Sequence, residues 1–185
     1  MLNTNISMFD NTKYNKGASW YIIVIWYILN ALIIKNTYVP FIKFKIYTLK
    51  IFGAKIGKGV VLKPSVNIKY PWKLEIGDDV WLGENVWIDN LDNVIIGNNV
   101  CISQGAMLLT GNHDYTIPSF DYRNMPIVIE DGVWIGAKTV VCPGVRCKSH
   151  SILTVGSIAT KDLEEYTIYQ GNPAKEIRKR VFKNA

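Results

Sequence analysis

A large apolar residue recurs every six positions through most of the chain. Four runs keep this spacing, and they extend from Ile56 to Leu74, Ile76 to Ile88, Ile96 to Leu108 and Ile129 to Ala159. A second series of smaller side chains, from Val60 to Ser157, follows four residues after the first. A period of six matches neither a helix nor a long alternating strand, but short strands joined by corners produce it. The pattern therefore predicts a solenoid with three short strands in each coil.

A glycine often follows the large residue of the repeat, as in IGKGVV, IGDDVW and IGAKTV. Glycine adopts backbone angles that other residues avoid. We therefore expect this position to form a corner with unusual backbone angles.

The first 53 residues lack the repeat. The apolar stretch from Trp20 to Ile34 predicts a helix, but its length falls short of the ~20 residues that span a bilayer. Asp10 precedes it and no small-residue cleavage pattern follows, so it is a poor signal peptide. Two alternatives remain open: the helix packs on the main domain, or it lies in a membrane interface, where its aromatic residues and the following lysines are favourable. Pro40 opens a second apolar and basic segment, which ends at Gly53.

Charge is divided along the chain into three zones. Residues 11 to 74 contain eleven lysines and no acidic residue, residues 75 to 147 contain ten acidic and three basic residues, and residues 148 to 185 contain seven basic and four acidic residues. The net charge of +6 therefore does not describe one basic surface. This distribution argues against a nucleic-acid partner.

The cysteine and histidine content limits the available chemistry. Three cysteines, Cys101, Cys142 and Cys147, indicate neither a disulfide framework nor a structural zinc site, because their number is odd and their spacing is unlike C-x-x-C. With His113 and His150 as the only histidines, one subunit cannot build a multi-histidine metal site. We expect reduced, buried thiols and no metal.

Together with the segments GNHDY, VWIGAKTVVCPGV, GSIATKD and GNPAK, the repeat resembles the hexapeptide-repeat acetyltransferases. The chain is most similar to the colanic-acid and exopolysaccharide branch, and it is also similar to galactoside and maltose acetyltransferases. The resemblance implies a mainly β fold, a left-handed parallel β-helix of about five coils, assembled as a homotrimer. We assign residues 1–53 to an N-terminal helical extension, 54–165 to the β-helix with an inserted loop at 109–128, and 166–185 to a basic C-terminal tail with a short helix.

The interruption of the repeat between Leu108 and Ile129 is the predicted place for chemistry, since the regular sides of a coil are committed to packing. Acetyl transfer to a hydroxyl requires a base, and imidazole titrates near neutral pH. The resemblance assigns this role to His113, which would deprotonate the acceptor for direct attack in a ternary complex. Asp114 and the loop backbone are both able to orient the imidazole. We interpret His150 as an exposed corner residue.

Further residues are candidates for binding the two substrates. The acceptor candidates lie near the loop or on earlier coils: Asn85, Asp89, Asn90, Asn112 and Asp114. An asparagine that meets the acceptor in related enzymes falls on Gly83 here, which leaves that contact unassigned. The resemblance assigns acetyl-CoA contacts to coil backbone and to cations near the C-terminus, at Trp134, Gly136, Ala137, Val155, Thr160, Lys161, Lys175 and Arg178.

These features support one function and leave two alternatives. The first is an acetyl-CoA-dependent O-acetyltransferase that modifies a sugar hydroxyl of a cell-surface polysaccharide precursor, in the cytoplasm at the inner face of the membrane. The second keeps the fold but acetylates a soluble antibiotic or free sugar. The third is a non-enzymatic scaffold or binding module, against which the NHDY loop and the ATKD and NPAK segments argue.

Overall fold

The structure is a computed structural model, which describes residues 3–183. Three parallel β-sheets form the sides of a β-helix, and each coil contributes one strand to each side. Five coils are complete, and a sixth begins with a strand that extends the second sheet. The stacked coils confirm the predicted β-helix.

The strands are short because a corner follows every two or three residues. The first sheet contains β1 (Lys55–Ile56), β4 (Leu74–Ile76), β7 (Val94–Ile96), β10 (Ile127–Ile129) and β13 (Arg146–Cys147). The second contains β2 (Val61–Leu62), β5 (Trp81–Leu82), β8 (Cys101–Ile102), β11 (Trp134–Ile135), β14 (Ile152–Leu153), β16 (Thr167–Gly171) and β17 (Ala174–Lys179). The third contains β3 (Asn67–Ile68), β6 (Trp87–Asp89), β9 (Met107–Leu109), β12 (Val140–Val141) and β15 (Ile158–Ala159).

The six-residue repeat fills the interior of the coils. Every large residue of the repeat is at most 7% exposed, and every residue of the smaller series is at most 6% exposed. Equivalent residues of successive coils lie in register, as Leu62 and Leu82 do. Burial of such a column removes roughly 25 cal/mol of unfavourable apolar hydration per Å². The interior therefore supplies the main stabilisation of the fold.

The glycine after the large residue has a different role from the one we expected. Its backbone angle is ordinary, but a Cβ on Gly77 would lie 2.8 Å from the Gly97 carbonyl oxygen, and one on Gly136 would lie 2.7 Å from that of Leu153. Left-handed angles occur three residues after the large residue instead, as at Asn85, where φ is 57°. The glycine therefore permits close stacking of coils, and the third residue forms the corner.

The N-terminal helices pack on the first coils. They comprise α1 (Trp20–Leu29), a π-helical turn (Asn30–Ile34) and α2 (Ile42–Ile51), and two short 3₁₀ helices occur at Ile6–Met8 and Pro71–Lys73. The side chains of Trp26, Ile34 and Leu49 belong to the same core as the coils. Trp26 Nε1 also donates a hydrogen bond to the Ile68 carbonyl at 3.0 Å. One face of the extension is therefore part of the folded domain.

Much of the remaining surface of these helices and of the segment that joins them is apolar and exposed. Its exposed side chains are Trp20, Tyr21, Val24, Ile25, Tyr27, Ile28, Leu32, Tyr38, Phe41, Phe44, Tyr47 and Ile51. We call this set the apolar helical face. Within residues 3–183, no helix has the length and apolar character needed to cross a bilayer.

A buried lysine joins the two helical segments. Lys45 Nζ donates to the Ile34 carbonyl at 3.0 Å and to the Asn36 carbonyl at 2.9 Å. Both acceptors lie at the C-terminal end of the π-helical turn, where carbonyl groups lack helical partners and carry partial negative charge. Burial lowers the pKa of Lys45 from its usual value.

The expected C-terminal helix is wrong. Residues 167–179 form an antiparallel hairpin, in which β16 pairs with β17 and with β14 of the last complete coil. Beyond the hairpin, Arg180 donates to the carbonyl groups of Gly132 and His150. The exposed edge of the second sheet explains this outcome, because its unpaired backbone groups favour an added strand over a helix.

Truncation of one interior side chain should destabilise the coil stack. Ile88 is fully buried in β6, so Ile88→Ala should lower the free energy of unfolding by about 2–5 kcal/mol. Ile95 is 40% exposed on the outside of the first sheet, so Ile95→Ala should cost less than about 1 kcal/mol. Urea unfolding of both variants measures the difference, and equal losses would contradict the assignment of inside and outside positions.

Candidate active site

A loop leaves the coil between β9 and β10, at the corner that joins the third sheet to the first. Its two arms are held together by backbone hydrogen bonds, including Arg123 N–H to the Asn112 carbonyl at 2.8 Å and Met125 N–H to that of Thr110 at 3.0 Å. Thr110 anchors the loop, because its buried Oγ1 donates to the Asp89 carbonyl and accepts from Asp92 N–H. The rigid coil therefore positions the loop.

The loop fixes the tautomer of His113. Nδ1 lies 2.6 Å from the Phe120 carbonyl oxygen. Because a carbonyl only accepts hydrogen bonds, Nδ1 carries the proton of the neutral ring and Nε2 keeps a free electron pair. Phe120 adopts a φ of 55°, and its ring stacks on the imidazole at 4.5 Å between centroids with a 7° angle. The loop backbone, and not Asp114, therefore orients His113.

Asp114 has a local structural role. Its Oδ1 accepts hydrogen bonds from the Thr116 hydroxyl at 2.5 Å and from Thr116 N–H at 3.0 Å. These hydrogen bonds lower the pKa of Asp114. The carboxylate therefore stabilises a turn of the loop next to the histidine.

Aromatic rings from two parts of the chain surround His113. Tyr122 lies 5.0 Å and Phe9 lies 5.9 Å from it between ring centroids. Phe9 belongs to an N-terminal segment that lies along the loop, where Asn5 N–H donates to the Pro118 carbonyl at 2.8 Å. Our sequence reasoning missed Phe9, Phe120 and Tyr122. The cluster SFDYR marks the loop as aromatic, but no local signal links Phe9 to it.

A cleft of about 460 Å³ lies beside the loop, where the N-terminal segment meets the corner between the third and first sheets. It is lined by Asp10, Lys13, Tyr14, Asn15, Lys73, Leu91, Asp92, Asp121, Tyr122 and Asn124. Tyr14 spans this region, since its hydroxyl donates to the Leu91 carbonyl at 2.7 Å. Burial raises the pKa of that phenol, so Tyr14 stays protonated near neutral pH.

The predicted acceptor residues lie in different environments. Asn90 is fully buried, and its side-chain amide pairs with both backbone groups of Tyr70, which gives it a structural role. Asn85 is an exposed corner residue on the second coil. Asn112 Oδ1 accepts from His113 N–H at 2.8 Å. Asp89 forms an ion pair with Lys69 and lies at the end of β6, next to the root of the loop.

The predicted donor residues form two groups. Trp134 projects from the second sheet, and its Nε1 donates to Ser103 Oγ at 2.9 Å. Gly136 follows, but its N–H donates to Leu153 and its carbonyl accepts from Thr139, so the coil stack already uses both groups. Ala137 accepts a hydrogen bond from Gly156 N–H on the next coil, where Val155 is exposed.

The second group lies at the C-terminal hairpin. Thr160, Lys161 and Lys175 line a cleft of about 350 Å³. Arg178 lies further along β17, opposite Ile168, and does not line it. The structure therefore brings Thr160, Lys161 and Lys175 together.

Within one chain, Trp134 and Gly136 lie at a different side of the coil from His113, whereas Thr160 and Lys161 follow β15 of the third sheet and share the corner of the loop, two coils further along. The loop leaves the corner between the third and first sheets, whereas Gly136 follows β11 of the second sheet. A groove of about 280 Å³ on the second sheet contains Gly83 and Cys101, and it also lies away from the loop corner.

The three cysteines lack the features of a nucleophile. Cys147 is fully buried, and Cys101 and Cys142 are partly buried. Burial raises the pKa of all three thiols. Because the thiolate is the reactive form, these side chains are poorly suited to covalent catalysis.

Comparison with known proteins agrees with this architecture. No family model matches the chain. It is 36% identical over 177 residues to a candidate colanic acid biosynthesis acetyltransferase of Escherichia coli (strain K12), WcaF, covering 96% of this chain and 97% of that protein. It is 32% identical to the galactoside O-acetyltransferase of the same organism, over 70% of this chain and 66% of the relative.

Solved structures show the same fold. A hexapeptide-repeat acetyltransferase of Vibrio cholerae, VCA0836, solved with acetyl-CoA, superposes with a TM-score of 0.80 at 23% identity, covering 90% of this chain and 92% of that one. A galactoside acetyltransferase solved with coenzyme A gives a TM-score of 0.70 at 22% identity, over 86% and 80% of the two chains.

A parallel β-helix with a histidine-bearing loop at one corner defines the class as a hexapeptide-repeat acyltransferase. The extent of identity makes the assignment specific: the chain belongs to the hexapeptide-repeat acetyltransferase family, together with the colanic-acid acetyltransferase WcaF. This confirms the family that the sequence motifs indicated.

Proposed function

We propose that this protein transfers an acetyl group from acetyl-CoA to a sugar hydroxyl of a cell-surface polysaccharide precursor, with His113 as the general base. The observation that carries the proposal is the fixed tautomer of His113, whose Nε2 is left as a proton acceptor. Membership of an acetyltransferase family, and similarity to a protein named for colanic acid biosynthesis, support the reaction and the acceptor class.

The chemistry proceeds by direct transfer. Nε2 takes the proton of the acceptor hydroxyl while its oxygen attacks the acetyl carbonyl carbon. The carbon–sulfur bond of the thioester then breaks, and the imidazolium returns the proton to the departing CoA sulfur. The Phe120 carbonyl stabilises the positive ring through the same Nδ1 hydrogen bond. The raised pKa values of the thiols support a ternary complex over an acyl-enzyme.

The C-terminal cleft is the proposed end of the acetyl-CoA site. Lys161 and Lys175 supply two ammonium groups there, and phosphates are bound well by cations. Trp134 and the exposed Val155 provide apolar surface along the second sheet for the pantetheine arm. Gly136 packs closely against the next coil, and its backbone groups are already hydrogen-bonded within the protein. Its proposed role is therefore only to leave space for the pantetheine arm.

Loss of the His113 imidazole should remove catalysis while preserving the fold. His113→Ala should lower kcat about 100-fold or more, because the acceptor hydroxyl then lacks a base. Acetyl transfer to lipid-linked oligosaccharides measures kcat, and calorimetry should show unchanged acetyl-CoA binding. His150→Ala is the matched control, since this histidine lies at a distant corner and should keep turnover. Near wild-type turnover in His113→Ala would exclude the assignment.

We further propose a homotrimer in which one chain provides His113 and a neighbour provides the acetyl-CoA surface around Trp134 and Gly136. The separation of His113 from Trp134 and Gly136 in a single chain supports this arrangement. The outside of the second sheet is apolar, with Trp81, Trp134 and Ile152, whereas the outside of the first sheet includes Lys55 and Arg146. Contiguous exposed apolar surface is typical of subunit interfaces.

Sedimentation equilibrium tests the trimer. Three chains of 21.0 kDa have a combined mass of 63 kDa. Trp81→Arg should reduce the mass to that of one chain, because it places a charge on the apolar outside of the second sheet. Ile95→Arg, on the outside of the first sheet, should keep the wild-type mass. A monomeric wild-type protein that is fully active would contradict the shared site.

Peripheral association with the inner face of the cytoplasmic membrane is the proposed location. The apolar helical face combines aromatic and aliphatic side chains with a segment that contains lysines but no acidic residue. Aromatic rings suit the headgroup region, and lysines are attracted to anionic lipids. A polysaccharide precursor carried on a lipid would meet the enzyme at this surface.

Vesicle cosedimentation tests the membrane contact. Binding should increase when phosphatidylglycerol replaces phosphatidylcholine, and it should fall between 0.1 M and about 1 M salt, as the screening length shortens from about 10 Å to 3 Å. A Trp20→Ser and Tyr27→Ser double variant should lose binding. Tyr115→Ser is the control, because this ring is as exposed as Trp20 but belongs to the loop. Equal partition of all variants with every lipid would contradict the location.

A further inference from the structure

A partly open cavity lies between the N-terminal helix and the third sheet, and the site above does not account for it. Its volume is about 280 Å³, near the lower end of the range for ligand pockets. Its lining combines aromatic side chains with polar ones: Ile23, Trp26, Tyr27, Asn30, Ala31, Lys35, Asn67, Lys69, Tyr70, Trp87 and Asp89. A cavity of this size and mixed character suits one small ring that carries polar substituents.

Asn30 is the first observation that points to a ligand. It is the sole polar residue of the apolar stretch WYIIVIWYILNALII, and it is 8% exposed. Its Nδ2 donates to Asn67 Oδ1 at 2.7 Å, but no donor among residues 3–183 reaches its buried Oδ1. If both side-chain amides were flipped, Asn67 would donate to Asn30, and the Asn30 amide nitrogen would then be the buried atom without a partner. A leucine would pack here without this cost.

The backbone at Asn30 is the second observation. The helix widens there into a π-helical turn, and Lys35 N–H donates to the Asn30 carbonyl at 2.8 Å, five residues away. Such turns are rare and occur frequently at functional sites. Asn30 is the first residue of this turn, and it lines the cavity together with Ile23 and Trp26 of α1.

The wall formed by the third sheet presents complementary chemistry. Trp87 is part-exposed and lines the cavity beside Asn67, its cross-strand neighbour. Asp89 follows on the same strand. Lys69 Nζ forms an ion pair with Asp89 Oδ1 at 2.9 Å, so this carboxylate is a charged acceptor on the cavity wall. One unpaired acceptor, Asn30 Oδ1, one charged acceptor, Asp89, and an aromatic surface therefore meet in one cavity.

We propose that this cavity binds one monosaccharide ring of a glycan. Sugar hydroxyls would donate to Asn30 Oδ1 and Asp89, the free amide hydrogens of Asn67 would donate to a ring oxygen, and the apolar C–H face would pack on Trp87. A phosphate fits poorly beside Asn30 Oδ1 and Asp89, because it brings only acceptors to these oxygens. Of the two lysines in the lining, Asp89 neutralises Lys69 and leaves Lys35 as the one group that would favour an anion. The cavity proposal depends on the proposed function in one respect: it takes the bound glycan to be part of the acceptor substrate.

The position of the cavity connects it to the loop that carries His113. The Asp89 carbonyl accepts both the N–H and the hydroxyl of Thr110, where the loop begins. The cavity also lies beside α1, which carries part of the apolar helical face, and Tyr27 borders both. A glycan held here would keep a second sugar near the loop while its lipid end stays at the membrane side.

Saturation-transfer NMR with methyl glycosides of D-glucose, D-galactose and L-fucose tests the cavity on the full chain. At least one glycoside should bind. Trp87→Leu should weaken its binding about 5–10-fold by removing the aromatic surface, and Asn30→Leu should weaken it about fivefold. Trp20→Leu, which alters an exposed tryptophan of the same helix outside the cavity, should bind like wild type.

Thermal unfolding separates a binding role from a structural one. Asn30→Leu should melt at the same or a higher temperature, since it removes an unpaired buried amide. A melting temperature lowered as far as that of Ile88→Ala would assign Asn30 to the fold and overturn the proposal. Absence of binding by every glycoside, binding unaffected by Trp87→Leu and Asn30→Leu, or displacement of the glycoside by inorganic phosphate would also overturn it.

Turnover and glycoside binding of His113→Ala test the catalytic proposal and the cavity proposal separately. His113→Ala should keep glycoside binding while losing turnover. Full turnover in His113→Ala with binding that depends on Trp87 would reject the catalytic proposal and retain the cavity. Lost turnover in His113→Ala with no glycoside binding would reject the cavity and retain the catalytic proposal.

Discussion

The structure depends on the stacking of successive coils through parallel backbone hydrogen bonds. Each short strand uses its N–H and carbonyl groups on the coils above and below, and each interior position meets its equivalent one coil away. The spacing leaves no room for a side chain at positions such as Gly77 and Gly136. Close stacking of the coils explains the glycine after the large residue, the six-residue period and the flat outer faces of the three sheets. The loop and the N-terminal helices are attached to this framework.

The loop between β9 and β10 departs from the regular stack but is held in place by it. Thr110 ties the root of the loop to β6, and the two arms then bond to each other. At the tip, the left-handed backbone of Phe120 aims a carbonyl at His113. The rigid coil therefore fixes the orientation of the His113 imidazole, which an isolated loop would not do.

The N-terminal helices add an exposed apolar surface to the β-helix. Their inner face completes the core through Trp26 and Leu49, while their outer face remains apolar and exposed. Asn30 and its π-helical turn interrupt the inner face and open a cavity against Trp87 and Asp89. One helix thus borders the folded core, a polar cavity and the proposed membrane surface.

The sequence by itself determined the β-helix, the loop and the family, because these depend on a local period and on motifs that read directly along the chain. It also singled out His113. Tertiary structure decided what the period cannot encode: that Phe120 orients His113, that Phe9 reaches it from the N-terminus, that Asn90 serves the fold, and that residues 174–179 form a strand. The physical reason is that these outcomes depend on contacts between distant segments and on unpaired backbone groups at a sheet edge, which exist only after the coils have stacked.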